Sequence, residues 1–504
     1  MENSNNKIIL KNTFFLYVRM FMKMIISLYT SRIILEYLGI IDYGIYNVVG
    51  GIVILFSFIN GSMAISVQRF LSYEIGRKNQ EKINTIFSMS IFIHLLISIL
   101  IFIIVELLGP YLFSQLTIPS ERLSAAYIVF HISIISTCIT FNQIPHTALL
   151  ISYEKMNAYA FIGILDVILK LLVVFVLPYS TIDKLILYAL LYCFSTIIIS
   201  LSLFLISRKQ FPFVKLSRIW DRNLFKELLA FAFWNSFSEF AWSAVGQGVN
   251  IVLNIFFMPT VNAARGIAIQ VMGALNQFVV NFQTAMNPQI IKSYAENNTN
   301  QTLTIALKGT KYSFFLMFFL SLPFLFNIEY ILTLWLKVVP PETMIFCQLA
   351  IIGILCDILS NVFAIVVKAT GKIRNYQIII SILLFLNLPL SYLSLHLGNT
   401  SFSVYYVYIF ISLIIMVVRV EYLKLIIGLT WKVYIKEVLT PVCSTSIIAI
   451  LLPTLTYQYT DGSFTRFCLH ILICILSCIL AIYFVGLDSN EKVFIINKIK
   501  SKIK

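Results

Sequence analysis

The sequence predicts an all-α polytopic membrane protein with about fourteen transmembrane helices. Three observations predict this class, and the first is composition: hydrophobic residues make up 59% of the 504 residues, charged residues only 12%, and the mean hydropathy is +0.90. Soluble proteins typically carry about 25% charged residues, so most of this surface cannot face water. Long apolar runs also recur along the chain, and basic residues are concentrated between alternate runs. A soluble enzyme, a disordered chain and a fibre are thereby excluded.

The apolar runs have the length of membrane-spanning helices. A helix that crosses the hydrocarbon core needs about 20 mostly apolar residues. Transmembrane β-strands would instead show segments of about 10 residues with alternating polarity. The runs in this chain are longer and apolar on all sides, which indicates helices. The clearest of them occupy residues 85–107, 184–206, 309–331, 343–367, 404–423 and 465–486.

Basic residues predict the orientation of these helices. The chain has 37 Lys and Arg against 22 Asp and Glu, which gives a formal net charge of +15. With the N-terminus placed inside, the basic residues of the outer segments are Arg122, Lys184, Arg265, Lys337 and Arg466. This asymmetry follows the positive-inside rule and predicts both termini in the cytoplasm. The rich use of Ile, Lys and Asn suggests a bacterium, and we expect the helices in its inner membrane. Most of the net charge therefore reflects topology, and we expect no nucleic-acid partner.

An internal repeat predicts two pseudo-symmetric lobes. Residues 43–51 read YGIYNVVGG and residues 265–273 read RGIAIQVMG, each on the second helix of a six-helix half. Because both halves begin inside, the pseudo-axis of the repeat lies along the membrane normal. The tail of the chain would lie in solvent or against anionic lipid head groups. The predicted segments are a first six-helix lobe at 1–206, a basic cytoplasmic linker at 207–226, a second six-helix lobe at 227–424, two additional transmembrane helices at 425–486 and the basic cytoplasmic tail at 487–504.

The first predicted helix carries three cations, Arg19, Lys23 and Arg32. An ionisable residue costs about 2.5–3.5 kcal/mol at the centre of a spanning helix, so it usually faces water or a partner. Arg19 and Lys23 are four residues apart and share one helix face. We expect this face to line a cavity for an anionic ligand, since arginine binds phosphate through two parallel hydrogen bonds. The alternative is that these side chains extend to lipid head groups, and for Arg32 both interpretations stay open.

Acidic residues inside the predicted spans are candidates for ion coupling. Asp166 and Lys170 are four residues apart on the fifth span, which favours an ion pair within the helix over a coupling site. Glu239 on the seventh span and Asp357 on the tenth could each pair with a cation or carry an ion. The coupling ion would be Na⁺ or H⁺, and we expect no other cofactor.

Sequence motifs for catalysis are missing. No P-loop is present, so ATP is not the direct fuel, and neither an HExxH nor a GxSxG motif occurs. The eight cysteines form no CxxC pair and nearly all lie in apolar runs, which indicates packing and not a metal site. We therefore expect a transporter without a metal and not an enzyme.

Several strings of the sequence resemble those of Wzx-type polysaccharide repeat-unit flippases. The resemblance extends in order over nearly the whole chain. The strings that carry it lie between Asn12 and Pro340. In the first half the strings begin with Asn12-Thr13 and run through Arg19, then cover 27–32 (SLYTSR) and 42–51 (DYGIYNVVGG). In the second half they are 261–268 (VNAARGIA), 281–289 (NFQTAMNPQ) and 334–336 (LWL).

The resemblance implies a place in the MOP (multidrug/oligosaccharidyl-lipid/polysaccharide exporter) superfamily. It implies two six-helix lobes, two C-terminal helices and a cavity that opens alternately to each side. The cargo would be an undecaprenyl-pyrophosphate-linked oligosaccharide for O-antigen, capsule or a related surface polysaccharide. In the similar lipid II flippases, arginines on the first and eighth helices line the cavity, and Arg19 and Arg265 match these places approximately. We expect a monomer in contact with membrane lipid, and a polysaccharide polymerase is a candidate partner.

Two other functions stay open at this point. A MATE-like exporter of small organic cations would have the same architecture and an acidic cavity, for which Glu239 and Asp357 are candidates. The basic first helix argues against it. A membrane-bound polysaccharide polymerase or ligase would present a sizeable outer loop with catalytic groups, and the predicted outer loops are short.

Overall fold

The computed structural model describes residues 12–24, single positions between 26 and 46, 57–115, 119–216, 220–257, 259–336, 339–457, 464–489 and 491–493. All regular structure within these residues is helical. In chain order the helices are α1 (12–24), α2 (Ser57–Gly76), α3 (Gln80–Gln115), α4 (Leu123–Asn142), α5 (Ile144–Ser152), α6 (Met156–Val176), α7 (Lys184–Gln210), α8 (Arg222–Phe256), α9 (Pro259–Ala295), α10 (Thr299–Phe326), α11 (Ile328–Leu336), α12 (Thr343–Ala369), α13 (Arg374–Phe385), α14 (Asn387–His396), α15 (Ser403–Ile427), α16 (Trp431–Tyr434), α17 (Thr440–Tyr457) and α18 (Phe464–Ala481).

Ten stretches of the described chain are long and apolar enough to cross a membrane. They are Gln80–Gly109, Ser120–Ser152, Met156–Tyr179, Lys184–Gln210, Thr299–Phe326, Thr343–Ala369, Arg374–His396, Ser403–Ile427, Trp431–Thr456 and Phe464–Gly486. Helices α8 and α9 have 35 and 37 residues, which is also enough length at about 1.5 Å per residue, but they are more polar. The predicted all-α membrane fold is confirmed, while the total of fourteen spans stays a prediction.

One helix begins and ends earlier in the chain than the apolar run predicts. The apolar run 309–331 predicts a span there, but α10 begins at Thr299 and ends at Phe326. At its start, Asn298 Oδ1 accepts a hydrogen bond from the Gln301 N–H at 3.1 Å. At its end, Asn327 Nδ2 donates to the Pro323 carbonyl oxygen at 2.8 Å. Two capping asparagines therefore set the ends of this helix, and hydropathy does not detect caps.

Two pairs of turns have the same geometry in the two halves of the sequence. Lys78 after α2 and Asn297 after α9 have φ of 57° and 58°, and each precedes an asparagine that caps the next helix. Glu154 after α5 and Gly371 after α12 have φ of 59° and 78°. Left-handed residues at equivalent places are what the predicted repeat leads us to expect.

The chain packs as two units. The first unit comprises Met1–Glu239 and Asn287–Glu296, and the second comprises Phe240–Met286 and Asn297–Lys504. In the first unit α4 packs against α7 and α2 against α5, and in the second α12 packs against α15 and α17 against α18. These units are defined by packing, and the lobe boundaries drawn from the sequence stay a prediction.

Polar contacts hold the end of α9 and the start of α8 within the first unit. Glu154 Oε1 forms an ion pair with Lys292 Nζ at 2.6 Å, and Glu154 Oε2 accepts from Gln289 Nε2 at 3.0 Å. On α2, Ser62 Oγ accepts from Asn235 Nδ2 at 3.2 Å. The left-handed turn at Glu154 directs the carboxylate that makes the first two contacts.

Arg122 binds two carboxylates of the first unit that are distant in sequence. Its Nε donates to Asp42 Oδ1 at 2.8 Å, and its Nη2 donates to Asp183 Oδ1 at 3.1 Å. Asp183 also caps α7 by accepting from the N–H groups of Leu185 and Ile186. The hydrogen bond from Arg122 lowers the pKa of the Asp183 carboxyl below its usual range.

We expect Arg122→Ala to lower the free energy of unfolding by about 1–3 kcal/mol, because two carboxylates lose their shared donor. Since the folded pKa of Asp183 is lowered, this contribution is present above the unfolded pKa of about 3.9 and is lost as the pH falls through the folded pKa. Denaturant unfolding of the purified protein at neutral pH measures it. Arg122→Lys should retain only part of the stabilisation that Arg122 provides, since an ammonium cannot bind both carboxylates in a planar fork. A variant as stable as the wild type would contradict the expectation.

Candidate functional site

Arg19 and Lys23 lie on α1, four residues apart and on the same face. The Cζ atom of Arg19 is 4.2 Å from the centroid of the Tyr159 ring on α6, which is a cation–π contact. The Nε atom of Arg19 is buried and has no hydrogen-bond partner among the described residues. Lys23 is exposed. The two predicted cations therefore differ, since the side chain of Arg19 is held by an aromatic ring and that of Lys23 is exposed.

A single stripe of α6 faces these cations. Tyr159, Gly163, Asp166 and Lys170 are spaced by four, three and four residues, so they lie on one face of the helix. A Cβ atom placed on Gly163 would lie 2.2 Å from Nε and 2.5 Å from Cδ of Arg19. The arginine stem thus crosses α6 at the one position of this stripe that has no side chain.

The predicted ion pair between Asp166 and Lys170 is confirmed. Lys170 Nζ lies 2.9 Å from Asp166 Oδ2, and it also lies 5.1 Å from the centroid of the Tyr192 ring on α7. Lys23 is within electrostatic range of Arg19, Lys170 and Asp166. Arg19, Lys23, Asp166 and Lys170 form what we call the first-unit cluster, which carries three cations and one carboxylate. Its net positive charge favours an anion.

Arg265 lies at the start of α9 in the second unit and is only 7% exposed. Its Nη1 donates to the Gly246 carbonyl oxygen at 3.1 Å and to Asn250 Oδ1, both on α8. Its Nε is buried without a partner among the residues that the structure describes. Neutral acceptors therefore hold Arg265, which has no carboxylate partner in the described part of the chain, and Tyr405 of α15 is nearby.

Asp357 of α12 is engaged by hydroxyl groups of α15. Its carboxylate accepts hydrogen bonds from Tyr408 Oη and from Ser412. The rings of Tyr408 and Tyr405 are 6.3 Å apart, and Tyr405 is the neighbour of Arg265. Two tyrosines on one helix thus connect the predicted cation and the predicted carboxylate of the second unit.

Arg419 is a cation within a predicted span that the sequence analysis did not single out. It lies on α15 and donates to Tyr376 Oη at 3.1 Å, to Ser360 Oγ at 3.1 Å and to Asn361 Oδ1 at 2.7 Å. The sequence does indicate it, because Arg419 is a cation within the apolar run 404–423. The rule that identifies Arg19 as an intramembrane charge applies equally to Arg419.

Two other predicted site residues are not brought into these clusters. Glu239 on α8 is exposed, and in the part of the chain that the structure describes it has no hydrogen bond or ion pair. Arg32 lies outside the described residues. The functional roles predicted for all these residues stay predictions.

Comparison with known proteins identifies the fold. Residues 16–176 match the model of the MatE family. Comparison of the sequence with curated proteins gives no match. A MATE protein in the bent conformation superposes with a TM-score of 0.74 at 14% identity, over 85% of this chain and 97% of the other. An outward-facing multidrug resistance MATE family transporter of the MOP superfamily superposes with a TM-score of 0.73 at 14% identity. The superposition covers 84% of this chain and 96% of the other.

A third solved structure comes from Pyrococcus furiosus and is a MOP superfamily transporter. It gives a TM-score of 0.71 at 13% identity, over 83% of this chain and 96% of the other. The chain therefore has the fold of MATE transporters and is a multi-pass membrane protein. At this level of identity the similarity establishes the fold only. The transported substrate has to be argued from the residues of the site.

Proposed function

We propose that the protein is a flippase for undecaprenyl-pyrophosphate-linked oligosaccharide repeat units of the bacterial inner membrane. It would move them by alternating access to the outer leaflet for O-antigen, capsule or related surface polysaccharide. The observation that carries the proposal is the first-unit cluster, in which three cations, Arg19, Lys23 and Lys170, accompany one carboxylate, Asp166.

The charge of the cluster supports an anionic cargo. Lys170 is already paired with Asp166, so Arg19 and Lys23 keep their charge for a ligand. A pyrophosphate group would receive charge-assisted hydrogen bonds from the guanidinium of Arg19 and a point charge from Lys23. These interactions would offset the cost of moving the head group away from water.

The fold does not contradict this cargo. The transporter from Pyrococcus furiosus has a binding pocket of reversed polarity that suggests a different function. A MATE fold is therefore compatible with more than one ligand charge. By analogy, the net positive cluster of this chain supports a cargo of the opposite sign to an organic cation.

Ion coupling is proposed for the second unit. Asp357 is a half-buried carboxylate on α12, and its bonds from Tyr408 and Ser412 could be exchanged for a proton or a bound Na⁺. MATE transporters are ion-coupled, which is compatible with Na⁺ or H⁺ here.

We expect Asp357→Asn to lower gradient-driven transport by about tenfold or more while binding of inorganic pyrophosphate changes by less than about twofold. The amide keeps the shape and one oxygen that can accept from α15, but it cannot titrate or carry charge. Transport into proteoliposomes with and without an imposed ion gradient measures the effect. Equal acceleration of variant and wild type by the gradient would rule out Asp357 as the coupling residue.

An exporter of small organic cations is the second candidate function. The MATE fold supports it, and so do the exposed Glu239 and the half-buried Asp357. The two candidates make opposite predictions for a strain that lacks the gene. Loss of surface polysaccharide with unchanged susceptibility to organic cations supports the flippase, whereas increased susceptibility with intact polysaccharide supports the exporter.

A further inference from the structure

We propose that Tyr159 and Gly163 are positioning residues that hold Arg19 for the pyrophosphate group of the cargo. This inference rests on the proposed function, because it assigns how the anion-binding cation is oriented. Tyr159 would fix the plane of the guanidinium, and Gly163 would provide the space through which the arginine stem passes.

The contact with Tyr159 leaves the edge of the guanidinium for a ligand. Arg19 Cζ stands 4.2 Å from the ring centroid, so one flat face of the group is covered. The N–H donors of a guanidinium lie in its plane and are not used by a cation–π contact. Nε is buried against Gly163, so a ligand would meet the two terminal nitrogens of Arg19, and Asp166 is occupied by Lys170. In-plane donors without a carboxylate partner are what two phosphate oxygens require.

Gly163 differs from a glycine that serves helix packing. The three atoms that a Cβ on Gly163 would meet first are Nε, Cδ and Cγ of Arg19, at 2.2, 2.5 and 2.9 Å. At Gly76, in contrast, the nearest atoms belong to the Lys292 backbone. A methyl group at position 163 would therefore meet one flexible side chain before it meets the backbone of a neighbouring helix. Because alanine is the better helix former, the substitution should leave α6 intact.

The test measures binding of inorganic pyrophosphate to the purified, full-length protein in nanodiscs. Gly163→Ala and Tyr159→Leu should each weaken binding by about tenfold or more, because both misplace the Arg19 donors. Tyr159→Phe keeps the aromatic ring and should bind within about twofold of the wild type. In an Arg19→Ala background, Gly163→Ala should have no further effect, since the displaced side chain is already gone.

Gly61→Ala is the matched control, because Gly61 is a helical glycine with nothing within 4 Å of its Cβ position. It should bind like the wild type, and a thermal unfolding curve of each variant reports whether it folds. If the wild type and Gly163→Ala bind pyrophosphate equally, or if Gly163→Ala weakens binding equally with and without Arg19, the positioning role is wrong. If the wild type itself binds no pyrophosphate, the proposed function is wrong as well.

Discussion

Replacing Arg19 with alanine is expected to lower glycolipid translocation by about tenfold to a hundredfold, which is the effect of losing hydrogen bonds from one charged group. Arg19 is the cation that the structure holds against Tyr159 and leaves without a carboxylate among the described residues. Lys23→Ala should have a smaller effect, because Lys23 is exposed and offers a point charge without a planar fork. Complementation of a strain that lacks the gene, at matched expression, measures both through surface polysaccharide.

The choice of controls separates this effect from a general loss of positive charge. Arg77→Ala removes an exposed arginine of the first unit and should restore polysaccharide like the wild type. Arg19→Lys should restore an amount of surface polysaccharide between those of the wild type and Arg19→Ala. It keeps the positive charge but loses the two parallel donors. Intact polysaccharide with Arg19→Ala and Lys23→Ala combined would contradict the cationic site.

Replacing Lys311 is expected to destabilise the second unit by about 3–5 kcal/mol, because it breaks a buried ion pair and leaves one charge alone. Lys311 on α10 is 2% exposed, and its Nζ lies 2.9 and 3.0 Å from the two carboxylate oxygens of Glu491. Glu491 also accepts from Tyr312 Oη at 2.6 Å and from the Asp488 N–H at 2.9 Å. The ion pair connects the segment after α18 to α10. Denaturant unfolding of Lys311→Met measures the contribution of the pair to the free energy of unfolding.

A double variant and a pH series test this cause. Lys311→Met combined with Glu491→Leu should recover more than half of the loss, since no buried charge is left unpaired. Burial alone would raise the pKa of Glu491, but its hydrogen bonds outweigh burial and lower that pKa. The stabilisation is therefore full above the unfolded pKa of about 4.3 and is lost as the pH falls through the folded pKa. A double variant less stable than Lys311→Met would show that the charges are not the cause.

Much of the fold follows from the sequence because the membrane restricts the alternatives. Apolar runs of sufficient length predict spanning helices, and the structure contains ten such stretches in its described part. Spacing within one helix is equally informative, as for Asp166 and Lys170, which lie one turn apart and pair. Such local features depend only on helix geometry.

Contacts between helices could not be predicted, because periodicity does not say which helices are neighbours. Arg19 and Gly163 are far apart in the sequence, and nothing in either segment indicates that the arginine crosses the glycine. The same holds for Glu154 and Lys292, which come from the two predicted lobes. Arg419 is a different kind of omission, since its position within an apolar run could have identified it.

Translocation in a reconstituted system tests the anionic cargo most directly. The protein would be placed in proteoliposomes with a fluorescent polyprenyl-pyrophosphate-linked saccharide, and the fraction that reaches the opposite leaflet would be followed over time. The predicted result is translocation by the wild type, a rate about tenfold or more lower with Arg19→Ala, and competition by inorganic pyrophosphate but not by organic cations. Transport of an organic cation by the wild type, without movement of the glycolipid, would contradict the proposed function.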